Sequence, residues 1–399
     1  MTTGSLLRSL ECAACGRGHD ADRVQGVCAA CGKPLFCRYD LARARASLTP
    51  ATFAARGSSL WRWRELLPVR DARAVADLGE STTPLIELPE LAAELGVGRL
   101  RLKEEGTLPT GSFKARGMAV AISRARELGV RGVFLPSAGN AGGAAAAYGR
   151  RAGLEVRVWL PEETPAANRM ETEALGARVA RVPGHIGDAG RRAREEAGRD
   201  GLFDLSTLRE PYRLEGKRTM GLELFEAGLP TAIVYPAGGG TGLIALWKVF
   251  AELRELGWLE AAPPRLFVVQ AEGCAPVVRA FSEGLAASPP VADPRTIASG
   301  LRVPAALGDF LMLRAVRESG GDAEAVSDAT LLETMGALSS RTGVLLCPEG
   351  AAALAAVPAL ARRGKLGPLD DVVVFHTASG LKYREAWEAA LARSEGPGA

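Results

Sequence analysis

The chain has 399 residues, 47% of them hydrophobic and 24% charged, and a formal net charge of only +3. That length suffices for one two-lobed unit or two to three domains around a sizeable core. No long run of one charge sign points to a nucleic-acid arm or a polybasic patch, and no stretch is long and apolar enough to span a bilayer; the expectation is a cytoplasmic protein with no nucleic-acid and no membrane partner.

Five of the seven cysteines lie in the first 37 residues, and four of them read Cys12-x2-Cys15, a 12-residue gap, then Cys28-x2-Cys31, with Gly16 and Gly32 behind the pairs. Each pair can present two thiolates to one tetrahedral metal, and the glycines permit the tight turns. Residues 1–40 are therefore expected to form a zinc ribbon. Its basic content is modest (Arg17, Arg23, Lys33 and Arg38 among others) with little aromatic interleaving, so a structural clip fits better than a nucleic-acid reader. Cys37 reads as a spare thiol and His19 as a loop residue.

Residues 41–80 are rich in Arg and Ala and are expected to be helical, with Trp61 and Trp63 as packing anchors. From Thr83 onward strand and helix patterns alternate. Strands are expected at Leu100–Glu104, Gly132–Leu135, Glu155–Leu160, Ala177–Val182, Ala232–Tyr235, Leu266–Gln270 and Val372–His376. Helices are expected at Ser112–Leu128, Gly142–Ala152, Asn168–Leu175, Gly187–Ala197 and Leu243–Leu256. This alternation argues for an α/β fold with parallel sheets flanked by helices.

Four loops carry candidate chemistry. Pro109-Thr-Gly-Ser-Phe-Lys-Ala-Arg-Gly117 opens a helix with Lys114 in its first turn, where the positive end of the helix favours a free-base amine. Of 49 basic residues only seven are Lys, leaving 42 Arg, so a retained Lys is a better candidate for amine chemistry. Pro136-Ser-Ala-Gly-Asn-Ala-Gly-Gly143 joins a strand to a helix, and Asn140 offers an amide to a ring hydroxyl or a carboxylate. Gly238-Gly-Gly-Thr-Gly242 also sits between strand and helix, where backbone N–H groups can cradle a compact phosphate. In His376-Thr-Ala-Ser-Gly-Leu-Lys382 a hydroxyl at a strand end can meet a heterocycle nitrogen. An amine, an amide, a phosphate cup and a hydroxyl together make a socket for pyridoxal 5′-phosphate.

On these segments the sequence resembles the fold-type II pyridoxal-phosphate enzymes and, within them, the threonine synthases. Ser112–Gly117, Ser137–Asn140, Gly238–Gly242, Glu215-Gly-Lys-Arg-Thr219, Pro348–Ala352 and Thr377–Lys382 are similar to family segments, as is the cysteine ribbon running into Tyr39-Asp-Leu41. The resemblance implies that Lys114 is the Schiff-base lysine and the catalytic residue. It implies that Asn140 contacts the ring hydroxyl, that Gly238, Gly239, Gly240, Thr241 and Gly242 bind the cofactor phosphate, and that Thr377 contacts the pyridine nitrogen. It further implies a two-domain enzyme: residues 41–109 and 229–399 form the large cofactor domain, and 110–228 a small α/β domain. The implied reaction is that of a carbon–oxygen lyase turning O-phospho-L-homoserine and water into L-threonine and phosphate, by a homodimer. Ser137, Arg116, Lys217 and Arg218 are candidate ligands for the amino-acid phosphate substrate. The chain departs from the family at Leu108, Ala115, Ala141 and in the three-glycine cup. Ala141 removes a hydroxyl that could hold substrate, which keeps open a second reading: a dehydratase or β-replacement enzyme acting on a related amino acid.

Overall fold

The computed structural model describes residues 4–394. Its strands are β1 (Leu7–Cys12), β2 (Gly18–His19), β3 (Leu35–Tyr39), β4 (Leu85–Glu87), β5 (Arg99–Glu104), β6 (Gly132–Pro136), β7 (Glu155–Pro161), β8 (Arg178–Val182), β9 (Phe203–Asp204), β10 (Ala232–Pro236), β11 (Arg265–Ala271), β12 (Ala323–Val326) and β13 (Asp371–His376). They form three sheets: an antiparallel ribbon β2-β1-β3, a parallel sheet β8-β7-β6-β9, and a six-stranded sheet β12-β11-β10-β13-β5-β4 in which only β4 runs antiparallel. The α/β architecture is the one expected. All seven expected strands and the five helices expected from Ser112 onward are present, with ends displaced by at most two residues.

The chain divides into two compact units. One holds the residues up to Thr82, with Lys114–Gly228 and Ile244–Ala262; the other holds Thr83–Phe113, Leu229–Leu243 and the residues from Pro263 onward. Residues 41–82 thus cluster with the lysine-bearing segment rather than opening the other unit. The physical reason is a shared core, since Leu60 and Leu67 pack against Val120 of the helix Lys114–Glu127. The helix expected across 41–80 is reduced to Leu41–Ser47, Pro50–Ala54 and two short 3-10 turns. Pro50 and Pro68 break the pattern, and Gly57 and Gly79 adopt left-handed conformations there.

In the first unit Phe134, Trp159, Val182, Ala189 and Ala193 form the core under the parallel sheet. The Lys114 helix and the helix Tyr212–Ala227 approach so closely that a Cβ on Gly216 would lie 1.9 Å from the Arg116 carbonyl oxygen. The ribbon is fastened to both helices. Tyr39 donates to Glu215 at 2.9 Å, and Arg124 donates to the Ala21 carbonyl at 2.8 Å. Behind Tyr39 lies a buried charge network in which Arg218 and Lys248 neutralise Glu215 and Glu252.

In the second unit, Val372–Phe375 are fully buried, as a central parallel strand covered on both faces should be. Strands β10, β13 and β5 are neighbours and run in the same direction, so they release their loops at one edge of the sheet. Those loops are Ala237–Gly242, Thr377–Lys382 and Glu105–Phe113, which is where α/β sheets place ligands.

Candidate active site

Lys114 is the first residue of its helix and is half-buried. Ser112, two residues before the helix, does not cap it. Its backbone is extended and pairs with Ala378, and its hydroxyl is a buried oxygen without a hydrogen-bond partner. The helix entry is held instead by backbone bonds from Phe113 N–H to Thr377 C=O at 3.0 Å and from Ser379 N–H to Gly111 C=O at 2.9 Å. Lys382 adds a donation to the Thr110 carbonyl at 2.8 Å.

In the first unit, Asn140 begins the helix Asn140–Ala152 at the end of the β6 loop. Its Oδ1 accepts from Asn168 Nδ2 at 2.7 Å. That assignment fixes the amide orientation and directs the Nδ2 donors elsewhere, as a ring oxygen acceptor requires. The Ser137 hydroxyl donates to Gly139 C=O at 2.8 Å and accepts from Gly142 N–H at 2.9 Å, so it shapes this loop.

The basic candidates differ sharply. Arg116 is fully buried and forms a two-pronged pair with Glu223, plus a 2.9 Å bond to Thr219. Arg218 is bound to Glu215, Glu252 and the Leu66 carbonyl. Both guanidinium groups are committed to internal carboxylates. Sequence could not show this, because these partners lie as far as 107 residues away. Lys217 is different. Its Nζ sits 2.7 Å from where a Cβ on Gly117 would be, one turn after Lys114. Burial first, then the charges of Arg213 and Lys114, push its amine well below the usual lysine range. Burial also raises the nearby Glu210 carboxyl to about 7, despite the opposing charge of Arg213.

In the second unit the cup suits a phosphate. A Cβ on Gly238 would lie 2.2 Å from the Gly300 carbonyl oxygen, and one on Gly242 would lie 1.8 Å from Tyr235 Oη. Gly240 has φ +75°, and a Cβ there would meet Met312 Sδ at 2.2 Å. The helix Thr241–Glu255 follows directly, and the N–H groups of its first turn have no intrahelical acceptor. Thr377 is buried at the end of β13. The second unit thus offers a glycine cup before a helix, and the first unit an amide and a helix-start amine.

One buried cluster was not anticipated from sequence. His376 Nδ1 lies 2.5 Å from Glu104 Oε2, its register partner on β5, and its Nε2 accepts the Cys347 N–H at 2.8 Å. Burial opposes a charge on this ring, while Cys347 and Glu104 favour one, with a net upward push to about 10. The hydrogen bonds decide otherwise, because a proton on Nε2 would point at another donor. The ring is assigned as the neutral Nδ1–H tautomer donating to Glu104. Cys347 caps the helix Pro348–Arg362 by accepting the Gly350 N–H at 3.2 Å.

The four ribbon sulfurs lie within 4.8 Å of one another. The separations are 3.4 Å for Cys12–Cys31 and 3.7 Å for Cys15–Cys28. Four sulfurs at zinc–thiolate distance stand about 3.8 Å apart, so the spacing fits one zinc ion. Cys12 also accepts N–H bonds from Ala14 and Cys15 at 3.4 Å, the turn geometry that CxxC pairs use. Burial resists ionisation of Cys12, yet those backbone donors and the neighbouring sulfurs draw it down to about 7.

Residues 76–378 match the family model of the pyridoxal-phosphate-dependent enzymes. The chain is similar to the threonine synthase of Methanocaldococcus jannaschii, with 33% identity over 97% of this chain and 95% of that one. It is similar to the threonine synthase of Methanosarcina acetivorans at 34% identity, over 94% and 92% of the two chains. Among solved structures it resembles the processed threonine deaminase isoform 2 of Solanum lycopersicum, with TM-score 0.66 and 21% identity over 84% of this chain and 95% of that chain, a likeness of fold alone.

Proposed function

The chain belongs to the pyridoxal-phosphate-dependent enzymes and, within them, to the threonine synthases; on that footing we propose that it converts O-phospho-L-homoserine and water to L-threonine and phosphate. The observation that carries the reading is the glycine cup at the end of β10, beside the strand whose end bears Thr377. Lys114 would hold the cofactor, and its amine, when free, would move protons at Cα, Cβ and Cγ. Asn140 would donate to the ring hydroxyl, Gly238–Gly242 would hold the cofactor phosphate, and Thr377 would meet the ring nitrogen. The bound cofactor supplies delocalisation of charge from the substrate carbon. The C–O bond at Cγ breaks and phosphate leaves; Cγ gains the proton that Cβ gave up and becomes the methyl group, the water oxygen bonds to Cβ as a hydroxyl, and the second water proton ends on phosphate. Lys217, buried and short of protons, gains its charge when a phosphate arrives. Thus it is the substrate ligand we favour over Ser137, Arg116 and Arg218. Cys12, Cys15, Cys28 and Cys31 hold a structural zinc ion. The enzyme acts as a cytoplasmic homodimer; none of the described helices is long and apolar enough to cross a membrane.

The commitment of Arg116 and Arg218 to internal carboxylates favours one second reading, a dehydratase acting on threonine or serine, which needs no phosphate site. Phosphate release from phosphohomoserine by wild type and Lys114→Ala, run beside oxobutanoate formation from threonine, separates the two. Release by wild type alone supports the synthase. Turnover of threonine only, or an unaltered Lys114→Ala rate, overturns it.

A further inference from the structure

We propose that His376 is a positioning residue for the cofactor ring: clamped between Glu104 and the Cys347 N–H, it fixes the strand end from which Thr377 reaches the ring nitrogen. The proposal rests on the reading of Thr377 given above. Glu104 and His376 close two adjacent parallel strands, β5 and β13, and both are buried. Every polar atom of the pair has a partner. Glu104 Oε1 accepts the Gly106 N–H at 2.7 Å, Oε2 faces His376 Nδ1, and Nε2 takes the Cys347 N–H. The surroundings are cut to this pair. A Cβ on Gly106 would lie 2.5 Å from Glu104 Oε1, and one on Gly350 would lie 2.3 Å from His376 Cδ2.

What the clamp holds is the socket itself. Residue 377 follows directly, and its carbonyl receives the Phe113 N–H in the segment that ends at Lys114. On the far side of the imidazole, Cys347 opens the helix whose Glu349 accepts the Gly300 N–H at 2.7 Å. The Gly300 carbonyl is in turn the group that Gly238 abuts. A rigid imidazole with one donor and one acceptor therefore ties the ring-nitrogen loop, the approach to Lys114 and the first residue of the phosphate cup to one helix start. An apolar side chain of similar size would fill the volume but leave the Glu104 oxygen and the Cys347 N–H facing it, so both loops would be free to shift.

The test compares His376→Leu, Thr377→Ala and the double variant. It reads the dissociation constant of pyridoxal 5′-phosphate and the visible absorbance and circular dichroism of the lysine-bound cofactor. Thermal unfolding of the cofactor-free proteins serves as control. His376→Leu should weaken the cofactor at least tenfold and reduce the visible dichroism. In the Thr377→Ala background it should add no more than about threefold, because the two act in series. His376→Gln, which restores an acceptor for Cys347, should recover part of the loss. A folded His376→Leu protein with wild-type affinity and dichroism overturns the proposal, as do losses that multiply in the double variant. Were Thr377→Ala alone silent, the reading of Thr377 would fail and the proposal with it. Should His376→Leu not fold, His376→Gln and His376→Asn decide by the same measurements: wild-type values in both overturn it, and a graded loss supports it.

Discussion

Gly240→Ala puts the phosphate cup to a quantitative test. The residue sits at φ +75°, and its missing Cβ would lie 2.2 Å from the sulfur of Met312, a fully buried side chain. An L-residue in the left-handed region costs about 1–2 kcal/mol. Driving Met312 off its rotamer adds roughly 0.5–1.5 kcal/mol. The expected total is about 2–3 kcal/mol, which is on the order of 30- to 150-fold in an equilibrium constant. How it divides depends on the loop. If the loop relaxes when empty, the whole cost appears as weaker cofactor binding; if it stays in place, the cost appears as lower stability. Urea unfolding of the cofactor-free protein and titration with pyridoxal 5′-phosphate measure both parts, and their sum is the predicted quantity. Titration with pyridoxal, which lacks the phosphate, should show a much smaller change in affinity. A summed effect below about 0.5 kcal/mol would refute the steric argument, and equal losses for pyridoxal and its phosphate would refute the cup.

Glu223→Leu should strand the Arg116 charge in the core and cost about 3–5 kcal/mol by chemical denaturation, with turnover per folded molecule unchanged; loss of turnover without loss of stability would instead give Arg116 a substrate role. One zinc per chain is expected by metal analysis. Cys28→Ser should release it and lower the melting temperature, whereas an unchanged melting curve in a metal-free protein would remove the structural role of the ribbon metal. Burial lifts the Glu210 carboxyl to about 7, so the folded state keeps a proton that the unfolded chain loses near 4.5. A raised acid favours folding below that lower value, and its contribution is lost as pH climbs from about 4.5 to 7. Glu210→Gln should flatten that part of the stability profile, and a profile as steep as wild type would contradict the burial argument.

The places of the strand-to-helix loops proposed to hold the cofactor were legible because each loop needs unusual residues at fixed places. Glycines before a helix, an asparagine after a strand and a rare lysine at a helix start are local signals. The core strands were legible for the same reason: Val372–Phe375 is an unbroken apolar run. The substrate side was not. Whether an arginine is free or spent depends on a carboxylate that the fold brings up from elsewhere, as Glu223 meets Arg116 and Glu252 meets Arg218. The task of His376 was not legible because a lone histidine at a strand end carries no pattern; only the neighbouring Glu104 on β5 and the Cys347 N–H give it one. Residues 41–80 were misjudged because helix-forming composition does not survive Pro50 and Pro68 when the segment can bury Trp63 and Leu60 in short turns.

The fastening of Tyr39 to Glu215 makes the ribbon something other than a detachable accessory. Two carboxylates and two cations meet behind that phenol with no water-facing side, and β3 forms their lid. A shortened protein beginning after Tyr39 would open this compartment to solvent at the very helix that bears Lys217. The cysteine knuckles and the Tyr39–Glu215 fastening are therefore expected to be inherited together: a relative that dispenses with the cysteines should also replace the Tyr39 hydroxyl or dissolve the four-charge cluster, and reading those positions side by side across relatives would reveal it.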